Sequence, residues 1–216
     1  MKKYEANGVE ISFDMHRCIH AERCWRGLGS VFSREARPWI NPAGAPIEEI
    51  DRVVAQCPSG ALHVRRVDGP PIERLPDPSV TPMVDGPLHV RGAVIVENND
   101  GARVVEETRV ALCRCGASKR KPFCDNSHLE AKFTAAGCDP AQEKAALDAL
   151  PEPTEEDCEL HVTMVPNGPL LVDGQYTLQT DAGAEAKSGG ALCRCGASAN
   201  KPFCDGSHTA AGFQAE

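Results

Sequence analysis

The sequence predicts an α+β chain built from small modules, and three observations lead to this fold class. The apolar runs are short, and the longest of them, such as Ala93 to Val96, have the length of a strand. A segment of about 45 to 50 residues occurs twice. Aromatic residues are only 5% of the 216 residues, whereas 11 residues are cysteines, so we expect modest cores that depend on bound metal for stability.

The first 75 residues predict a small domain with a hairpin, one helix and a closing strand. Apolar and polar residues alternate in Val9 to Asp14, directly after Asn7-Gly8, a pair that is typical of a hairpin turn. Pro46 to Gln56 has a proline at its start, acidic residues in its first turn and one apolar face, which predicts a helix. Ala61 to Val67 predicts the closing strand. The proline-rich stretch Pro70 to Pro82 predicts a linker.

An internal repeat organises the rest of the chain. Residues 111–128 read ALCRCGASKRKPFCDNSH and residues 191–208 read ALCRCGASANKPFCDGSH, with their cysteines 80 positions apart. The similarity extends upstream to Gly86-Pro87-Leu88 and Gly168-Pro169-Leu170. Each copy therefore predicts a β-rich module followed by a cysteine loop and a short helix. These modules occupy residues 76–138 and 160–216.

An acidic connector at residues 139–159 separates the two modules. Residues 139–160 contain eight acidic residues and one lysine, which account for almost all of the net charge of -8. The first half is helical in pattern, and Pro151 and Pro153 break the second half. We interpret the connector as a solvated spacer, with an acidic docking site as the alternative. Cys138 and Cys158 flank it and match no motif.

Each repeated loop offers three thiols and one imidazole as metal ligands. The pattern is Cys-x-Cys, eight residues, Cys, three residues, His. The ligand sets are Cys113, Cys115, Cys124 and His128 in the first copy, and Cys193, Cys195, Cys204 and His208 in the second. Such a set can complete a tetrahedral zinc site or hold a 2Fe-2S cluster. The Cys-x-Cys spacing favours the cluster, since structural zinc loops more often place two to four residues between their cysteines.

These residues resemble the CDGSH iron–sulfur domain family, to which mitoNEET belongs. The second copy spells the signature as Cys204-Asp205-Gly206-Ser207-His208, and the first copy has Asn126 in place of the glycine, a residue that also tolerates positive φ. The resemblance implies a 2Fe-2S cluster in each loop, with the first two cysteines on one iron and the third cysteine and the histidine on the other. It also implies two mitoNEET-like β-rich modules that form an intramolecular pseudodimer, a monomer with an internal pseudo-two-fold axis.

Three further cysteines give the N-terminal domain its own candidate site. They are Cys18, Cys24 and Cys57. Their spacing resembles the loop of bacterial mono-cluster ferredoxins, Cys-x2-Cys-x2-Cys followed downstream by Cys-Pro, but Ala21 stands where the second cysteine would be. This implies a divergent ferredoxin-like domain with a 3Fe-4S cluster. The alternatives are a 4Fe-4S cluster with a non-cysteine fourth ligand, and buried structural thiols without a cluster. His20 is adjacent to the gap, and we interpret it as a surface or supporting residue rather than as a ligand.

Composition and motifs also exclude several classes of function. No apolar run approaches the roughly 18 to 20 residues that cross a bilayer, and the net charge of -8 argues against nucleic acid and anionic lipid as partners. No nucleotide-binding glycine loop and no nucleophile with a base is present, so we expect no enzymatic activity. The odd cysteine count and an N-terminus without a secretory apolar region predict a cytoplasmic protein.

The expected function is electron transfer by a soluble iron–sulfur protein. We expect two 2Fe-2S clusters, one 3Fe-4S or 4Fe-4S cluster, and a redox partner protein that exchanges electrons with them. The alternative is a protein that stores and donates iron–sulfur clusters, or that senses redox state or pH through its histidine ligands. A module held together by zinc, with a role in protein interaction, is the third hypothesis.

Overall fold

The computed structural model describes residues 1–70, 72–73, 75–148 and 159–215, and it separates the chain into two units. The units are Met1–Arg74 and Leu75–Glu216. Both consist mostly of strands with a few short helices, which confirms the α+β class. Among the described helices, none is long and apolar enough to cross a membrane.

The first unit is built on a three-stranded antiparallel sheet. β1 (Lys2–Ala6), β2 (Val9–Phe13) and β3 (Leu62–Arg66) pair in that order. The predicted hairpin is confirmed, because Asn7 and Gly8 at its turn have φ of 52° and 74°, the left-handed conformation that a two-residue turn of this kind requires. The closing strand is confirmed as β3.

Two helices and one 3-10 turn complete the first unit. They are α1 (Arg23–Gly27), the turn Pro42–Gly44 and α2 (Ile47–Val54). The predicted helix is confirmed as α2, although it ends two residues before the expected end. Its apolar face, with Ile50, Val53 and Val54 buried, packs in one core with the sheet. Cys18 lies in the loop between β2 and α1, Cys24 lies in α1, and Cys57 follows α2. All three are half-buried, and Cys24 and Cys57 pack against this core.

The second unit contains one six-stranded sheet to which each repeat contributes three strands. The strands are β4 (Ser79–Pro82), β5 (Leu88–Asn98) and β6 (Arg103–Leu112) from the first repeat, and β7 (Glu159–Met164), β8 (Leu170–Thr180) and β9 (Gly183–Leu192) from the second. The prediction of a linker up to Pro82 is wrong for its last four residues, which form β4. The reason is that Val80 is completely buried in the common core of the sheet.

The two repeats share their short first strands. β4 pairs antiparallel with β5 of its own repeat and parallel with β8 of the other, through Ser79–Thr177 and Val80–Leu178. β7 pairs antiparallel with β8 and parallel with the second half of β5, from Ala93 to Asn98. Each short strand therefore joins the long hairpin of one repeat to that of the other, and the pattern is reciprocal.

Three helices accompany this sheet. α3 (Ser127–Glu130) and α5 (Ser207–Ala210) follow the two cysteine loops, and α4 (Pro140–Asp148) is the predicted helical half of the connector. The second half of the connector, including Cys158, lies outside the described residues. Cys138 is buried, and its N–H donates to the carbonyl oxygen of Pro82 at 2.7 Å.

One side chain of α4 contradicts the interpretation of the connector as a solvated spacer. Glu143 is 2% exposed, and its Oε1 lies 2.8 Å from Nδ1 of His89 and 3.9 Å from Nη2 of Arg91, both on β5. A carboxylate is buried only where such partners compensate for its lost hydration. The second repeat has Leu171 and Asp173 at the positions equivalent to His89 and Arg91, so this contact has no counterpart there.

Candidate metal centres

The four candidate ligands of the first cysteine loop lie as two close pairs. Sγ of Cys113 is 3.7 Å from Sγ of Cys115, and Sγ of Cys124 is 3.6 Å from Nδ1 of His128. Two thiolates bound to one tetrahedral metal at about 2.3 Å are separated by about 3.7 Å. Each pair therefore has the spacing of two ligands on one metal.

The second loop repeats this geometry. Cys193 and Cys195 have their sulfur atoms 3.7 Å apart, and Sγ of Cys204 lies 3.4 Å from Nδ1 of His208. In the part of the chain that the structure describes, no three histidine, cysteine, aspartate or glutamate side chains converge where a single ion could be held. The cysteine and histidine four residues apart face the same side of the chain in both loops, as the spacing predicts.

Backbone hydrogen bonds fix the ligands of the first loop at the end of the β5–β6 hairpin. The N–H of Cys113 donates to the carbonyl oxygen of Pro122 at 2.7 Å, and the N–H of Cys124 donates to that of Ala111 at 2.8 Å. The hydroxyl of Ser118 donates to the carbonyl oxygen of Phe123 at 2.7 Å. The second loop makes the same three bonds at 2.8, 2.8 and 2.7 Å. The repeated residues therefore form the same loop structure in both copies.

An aspartate connects the two arms of each loop. Asp125 accepts from the N–H of Lys119 at 2.9 Å and from the N–H of Ser127 at 3.0 Å. Burial raises the pKa of Asp125, but a hydrogen bond with the Ser127 side chain and these two backbone bonds together outweigh burial and lower the pKa below its usual value. Asp205 makes the equivalent bonds at 2.8 and 3.0 Å. A hydrogen bond with the Ser207 side chain, followed by these two backbone bonds, holds the pKa of Asp205 well below the usual value. The charged carboxylate therefore stabilises the start of the helix that carries the histidine.

The residue after each aspartate has a left-handed conformation. Asn126 has φ of 69° and Gly206 has φ of 87°, and the helix begins at the next residue. This confirms the expectation that asparagine can replace the signature glycine in the first copy. His128 consequently lies in the first turn of α3, next to Cys124.

Burial and thiol pairing set the protonation of the ligands. Burial raises the pKa of Cys124 to about 12 and lowers that of His128, so the imidazole stays neutral, the form that binds metal. The hydrogen bond between Cys113 and Cys115 lowers the pKa of Cys113 to about 6 and raises that of Cys115. Thiolates are the metal-binding form, so metal binding must release protons from this loop.

The two loops contact each other directly. Cys115 and Cys195 form an antiparallel backbone bridge. Gly116 and Gly196 lie at this contact with φ of 78° and 83°, and a Cβ on Gly116 would come within 2.4 Å of the carbonyl oxygen of Cys195. Glycine is therefore required at this position for both its conformation and its size.

Two buried arginines, which sequence reasoning missed, hold the loops to the sheet. Arg114 is 1% exposed, and its guanidinium donates to the carbonyl oxygens of Gly86 and Ala136, both at 3.0 Å. Burial lowers its pKa to about 10, which leaves it charged near neutral pH. Arg194 is completely buried in the second loop and donates to Gly168 at 3.1 Å. The available signal was an arginine between the two cysteines of Cys-x-Cys in both copies.

Aromatic rings near the end of each repeat join the loops further. The ring of Phe133 lies 5.3 Å from Cζ of Arg114 in its own repeat and 5.8 Å from Nζ of Lys201 in the other. The equivalent contacts in the second repeat join Phe213 to Arg194 and Lys121 at 5.4 and 5.8 Å. Cations within about 6 Å of a ring centre are attracted by its π-system. Each ring thus contacts cationic side chains of both repeats.

The N-terminal unit brings its three cysteines to one cavity of about 840 Å³. Cys18, Cys24 and Cys57 line this cavity, together with the aromatic rings of Trp25 and Trp39. Burial and then the neighbouring Cys57 raise the pKa of Cys24 to about 11. Burial is also the main cause that raises the pKa of Cys18, with a smaller contribution from Cys57. The three thiols are therefore close enough to influence each other electrostatically.

The family comparisons agree with this division of the chain. A model described as divergent 4Fe-4S mono-cluster matches residues 4–67, and one described as iron-binding zinc finger CDGSH type matches residues 85–129 and 167–209. A protein named uncharacterized protein YjdI, from Escherichia coli K12, is 34% identical over 62 residues, which are 29% of this chain and 82% of that protein. The protein of the same name from Escherichia coli O157:H7 gives the same values. No solved structure matches the chain.

Proposed function

We propose that this chain, which belongs to the divergent 4Fe-4S mono-cluster family in its N-terminal domain and to the CDGSH family in its two tandem domains, transfers electrons as an iron–sulfur protein. One observation carries the proposal. Each CDGSH loop presents a cysteine pair and a cysteine–histidine pair, and a 2Fe-2S cluster takes two protein ligands at each of its irons.

The ligand chemistry supports a 2Fe-2S cluster in each loop rather than structural zinc. Bound clusters would supply one-electron chemistry, with Cys113 and Cys115 holding one iron and Cys124 and His128 the other. The N–H of Ala117 donates to Sγ of Cys115 at 3.4 Å. Hydrogen bonds donated to a ligating sulfur raise the reduction potential of a cluster. A neutral histidine ligand in place of a cysteine thiolate raises it as well.

We include the intramolecular pseudodimer in this proposal. It is supported by the reciprocal pairing of β4 and β7 with the hairpin of the other repeat, and by the contact between Cys115 and Cys195. With both modules in one chain, a monomer would contain the two modules that a homodimer obtains from two identical subunits. The proposed domain boundaries are residues 1–75, 76–138 and 160–216, with the connector at 139–159.

The N-terminal domain would add a third centre. Its three cysteines line one cavity, and the domain matches a 4Fe-4S mono-cluster family despite the missing second cysteine. The proposal assigns this domain a 3Fe-4S or 4Fe-4S cluster, gives the chain a redox partner protein in the cytoplasm, and gives it no catalytic activity of its own.

Stopped-flow reduction followed by oxidation tests electron transfer. The expected result is complete and repeated bleaching and recovery of visible absorption with no loss of iron, after a chemical reductant and then an electron-accepting protein are added. A colourless protein that contains zinc alone, or one that loses its iron in the first cycle, would contradict the proposal.

Donation of clusters is a second candidate function, favoured by the exposure of one side of the second loop. Cys193 is 1% exposed, whereas Cys204 and His208 are only half-buried. The histidine side could therefore be reached by an acceptor. Incubation with an apo-ferredoxin at neutral pH separates the two functions, because intact transfer of iron and sulfide supports donation and retention supports electron transfer.

A further inference from the structure

We propose that an acidic electron-transfer protein docks at the first cysteine loop, and that the second loop lacks this docking surface. The first-loop surface consists of the exposed side chains of Lys119, Arg120, Leu129 and Lys132. The inference rests on the proposed function, because it gives the surface chemistry of the redox partner and the loop at which that partner binds.

The two loops differ in charge although their ligand sets are the same. Residues 111–133 contain five basic and two acidic residues, whereas residues 191–213 contain two basic residues and one acidic residue. The three cations of the first-loop surface have uncharged counterparts in the second repeat, which are Ala199, Asn200 and Gly212. The positive charge is local to one loop, because the chain as a whole has a net charge of -8.

The loop structure does not depend on the two cations next to each other in this surface. The N–H of Lys119 donates to the aspartate of its loop at 2.9 Å, and the N–H of Ala199 donates to the equivalent aspartate at 2.8 Å. The N–H groups of Arg120 and Asn200 each donate to the serine hydroxyl of their own loop at 3.0 Å. The backbone makes all of these bonds, so the charged side chains are not required for them.

A third lysine in the loop has a structural role and provides a contrast. Lys121 has Lys201 as its counterpart, and in both loops the Nζ atom donates to a serine carbonyl oxygen of the same loop. Within the described part of the chain, Lys119 and Lys132 form no ion pair with an acidic side chain. The lysine that the loop requires is therefore present in both repeats, and the lysines that it does not require are present in one.

An exposed apolar side chain lies among these cations. Leu129 is 70% exposed and directly follows His128, which the proposed function assigns to one iron of the first cluster. Its carbonyl oxygen accepts from the N–H of Lys132 at 3.3 Å, which places this cation within one turn of Leu129. The second repeat has Thr209 at the equivalent position, and the acidic residue of the first-loop surface region, Glu130, leaves the cations in excess. An apolar centre with a charged rim is the usual composition of a protein interface.

This composition fits a small acidic redox protein. Electron-transfer complexes have small interfaces and are short-lived, and opposite charges on the two surfaces increase their rate of association. The surface lies on the loop that carries His128, so a protein bound there would be next to the proposed metal centre. Nucleic acids and anionic membranes are less suitable partners, because the acidic remainder of the chain would repel them.

Binding to a negatively charged plant-type 2Fe-2S ferredoxin tests the proposal. Calorimetric titration of the full-length, cluster-loaded chain should show one ferredoxin bound per chain at an ionic strength of about 0.01 M, and much weaker binding at about 1 M. Lys119→Ala combined with Arg120→Asn copies the second loop and should weaken binding about tenfold at the low ionic strength. Unchanged affinity in this double variant would overturn the proposal.

A matched control removes the same number of cations outside the surface. Arg103→Ala combined with Lys144→Ala changes two exposed residues at the start of β6 and in α4. We expect its affinity to stay within about twofold of the unmodified chain. A loss as large as that of the first double variant would show that only total charge matters, which would overturn the docking site.

The converse variant does not depend on the stability of an altered first loop. Ala199→Lys combined with Asn200→Arg places the two cations on the second loop, and it should raise the number of bound ferredoxins from one to two per chain. Leu129→Thr should weaken binding about threefold at both ionic strengths, because salt does not screen an apolar contact. An unchanged number of bound ferredoxins in the converse variant would count against the role of these cations.

Stopped-flow reduction separates failure of this proposal from failure of the proposed function. Reduced ferredoxin gives up one electron to the chain, and we expect the Lys119→Ala and Arg120→Asn double variant to accept it about tenfold more slowly at low ionic strength. Equal rates in all variants would refute the docking site and leave electron transfer intact. A chain that no chemical reductant can reduce reversibly would refute both. Binding to phosphatidylserine vesicles that the double variant abolishes would assign the surface to a membrane and overturn the proposal.

Discussion

A single histidine in each CDGSH loop links the site to pH. Burial lowers the pKa of His128 in the folded chain below its ordinary value of about 6.5. The unfolded chain therefore takes up this proton more readily than the folded chain does. The folded loop loses stability as the pH falls through about 6.5, and the full penalty applies below the folded-state pKa. The same protonation removes the lone pair that binds metal.

Replacing both histidine ligands should reduce the sensitivity to acid. In the variant with His128→Cys and His208→Cys, we expect slower loss of visible absorption below about pH 6.5 and lower reduction potentials, because thiolates replace neutral imidazoles. His161→Cys is the control, since it adds a thiol on β7 without changing a ligand. An equal rate of cluster loss in the double variant and the unmodified chain would contradict the assignment of these ligands.

The glycines at the contact between the loops give a second prediction. Gly116→Ala places a Cβ within 2.4 Å of a carbonyl oxygen, whereas Gly101→Ala at a similar φ of 81° meets nothing within 4 Å. Both variants bear the cost of the left-handed conformation, so the difference between them isolates the clash. We expect Gly116→Ala to lose about 1 to 3 kcal/mol more stability, measured by denaturant unfolding. Equal losses would mean that the loops do not pack against each other as described.

At the residue scale, the spacing of cysteines and histidines predicts which side chains form the ligand pairs, but the sequence does not predict which charged side chains are buried. The ligand pairs follow from Cys-x-Cys and from the cysteine four residues before a histidine, since spacing on a loop or a helix turn fixes which side chains can meet. Arg114 is not predictable in the same way. An arginine is usually exposed, and only the three-dimensional structure shows the carbonyl oxygens that surround it.

At the level of elements, the hairpins are local and predictable, whereas the sharing of β4 and β7 between repeats is not. A hairpin is specified by residues close in sequence, because apolar and polar residues alternate along each strand and a short turn sequence joins the two strands. Each repeat has the same strand pattern, so the pattern is equally consistent with pairing inside a repeat and between repeats. The parallel contacts of Val80 with Leu178 and of Val162 with Val96 depend on both copies being present.

The ion pair between α4 and β5 gives a prediction at the same scale. Glu143→Ala leaves His89 and Arg91 buried without their carboxylate, so we expect a loss of about 3 to 5 kcal/mol, measured as a lower urea midpoint. Lys144→Ala on the same helix removes an exposed pair with Asp148 and should cost less than about 1 kcal/mol.

A compensating variant distinguishes charge burial from loss of the helix. A triple variant with His89→Leu, Arg91→Met and Glu143→Leu replaces all three buried polar groups, the first of them by the leucine that the second repeat has at position 171, and it should restore most of the stability. Similar midpoints for Glu143→Ala and Lys144→Ala would show that α4 does not depend on this buried pair.

At the scale of the whole molecule, the two units should fold independently of each other. The first unit has its own core, and the divergent 4Fe-4S mono-cluster model matches residues 4–67, which lie within it. We expect separately produced Met1–Arg74 and Leu75–Glu216 to be folded, with circular dichroism and visible spectra that add up to those of the full chain. Unfolded products would contradict this independence.

The second unit should behave differently when it is cut. A protease site placed within residues 149–158 divides the repeats, but each contributes strands to the same six-stranded sheet. We therefore expect the two fragments to remain associated in gel filtration after cleavage. Fragments that separate under native conditions would contradict the reciprocal pairing.

Because both repeats lie in one chain and share one sheet, their sequences need not be identical. In an assembly of two identical chains, every substitution occurs at both sites. Here the first loop carries Lys119 and Arg120 where the second carries Ala199 and Asn200, and the buried pair of Glu143 and His89 exists in one repeat only. Two repeats in one chain can therefore differ residue by residue, so the surroundings of the two cysteine loops can differ in charge.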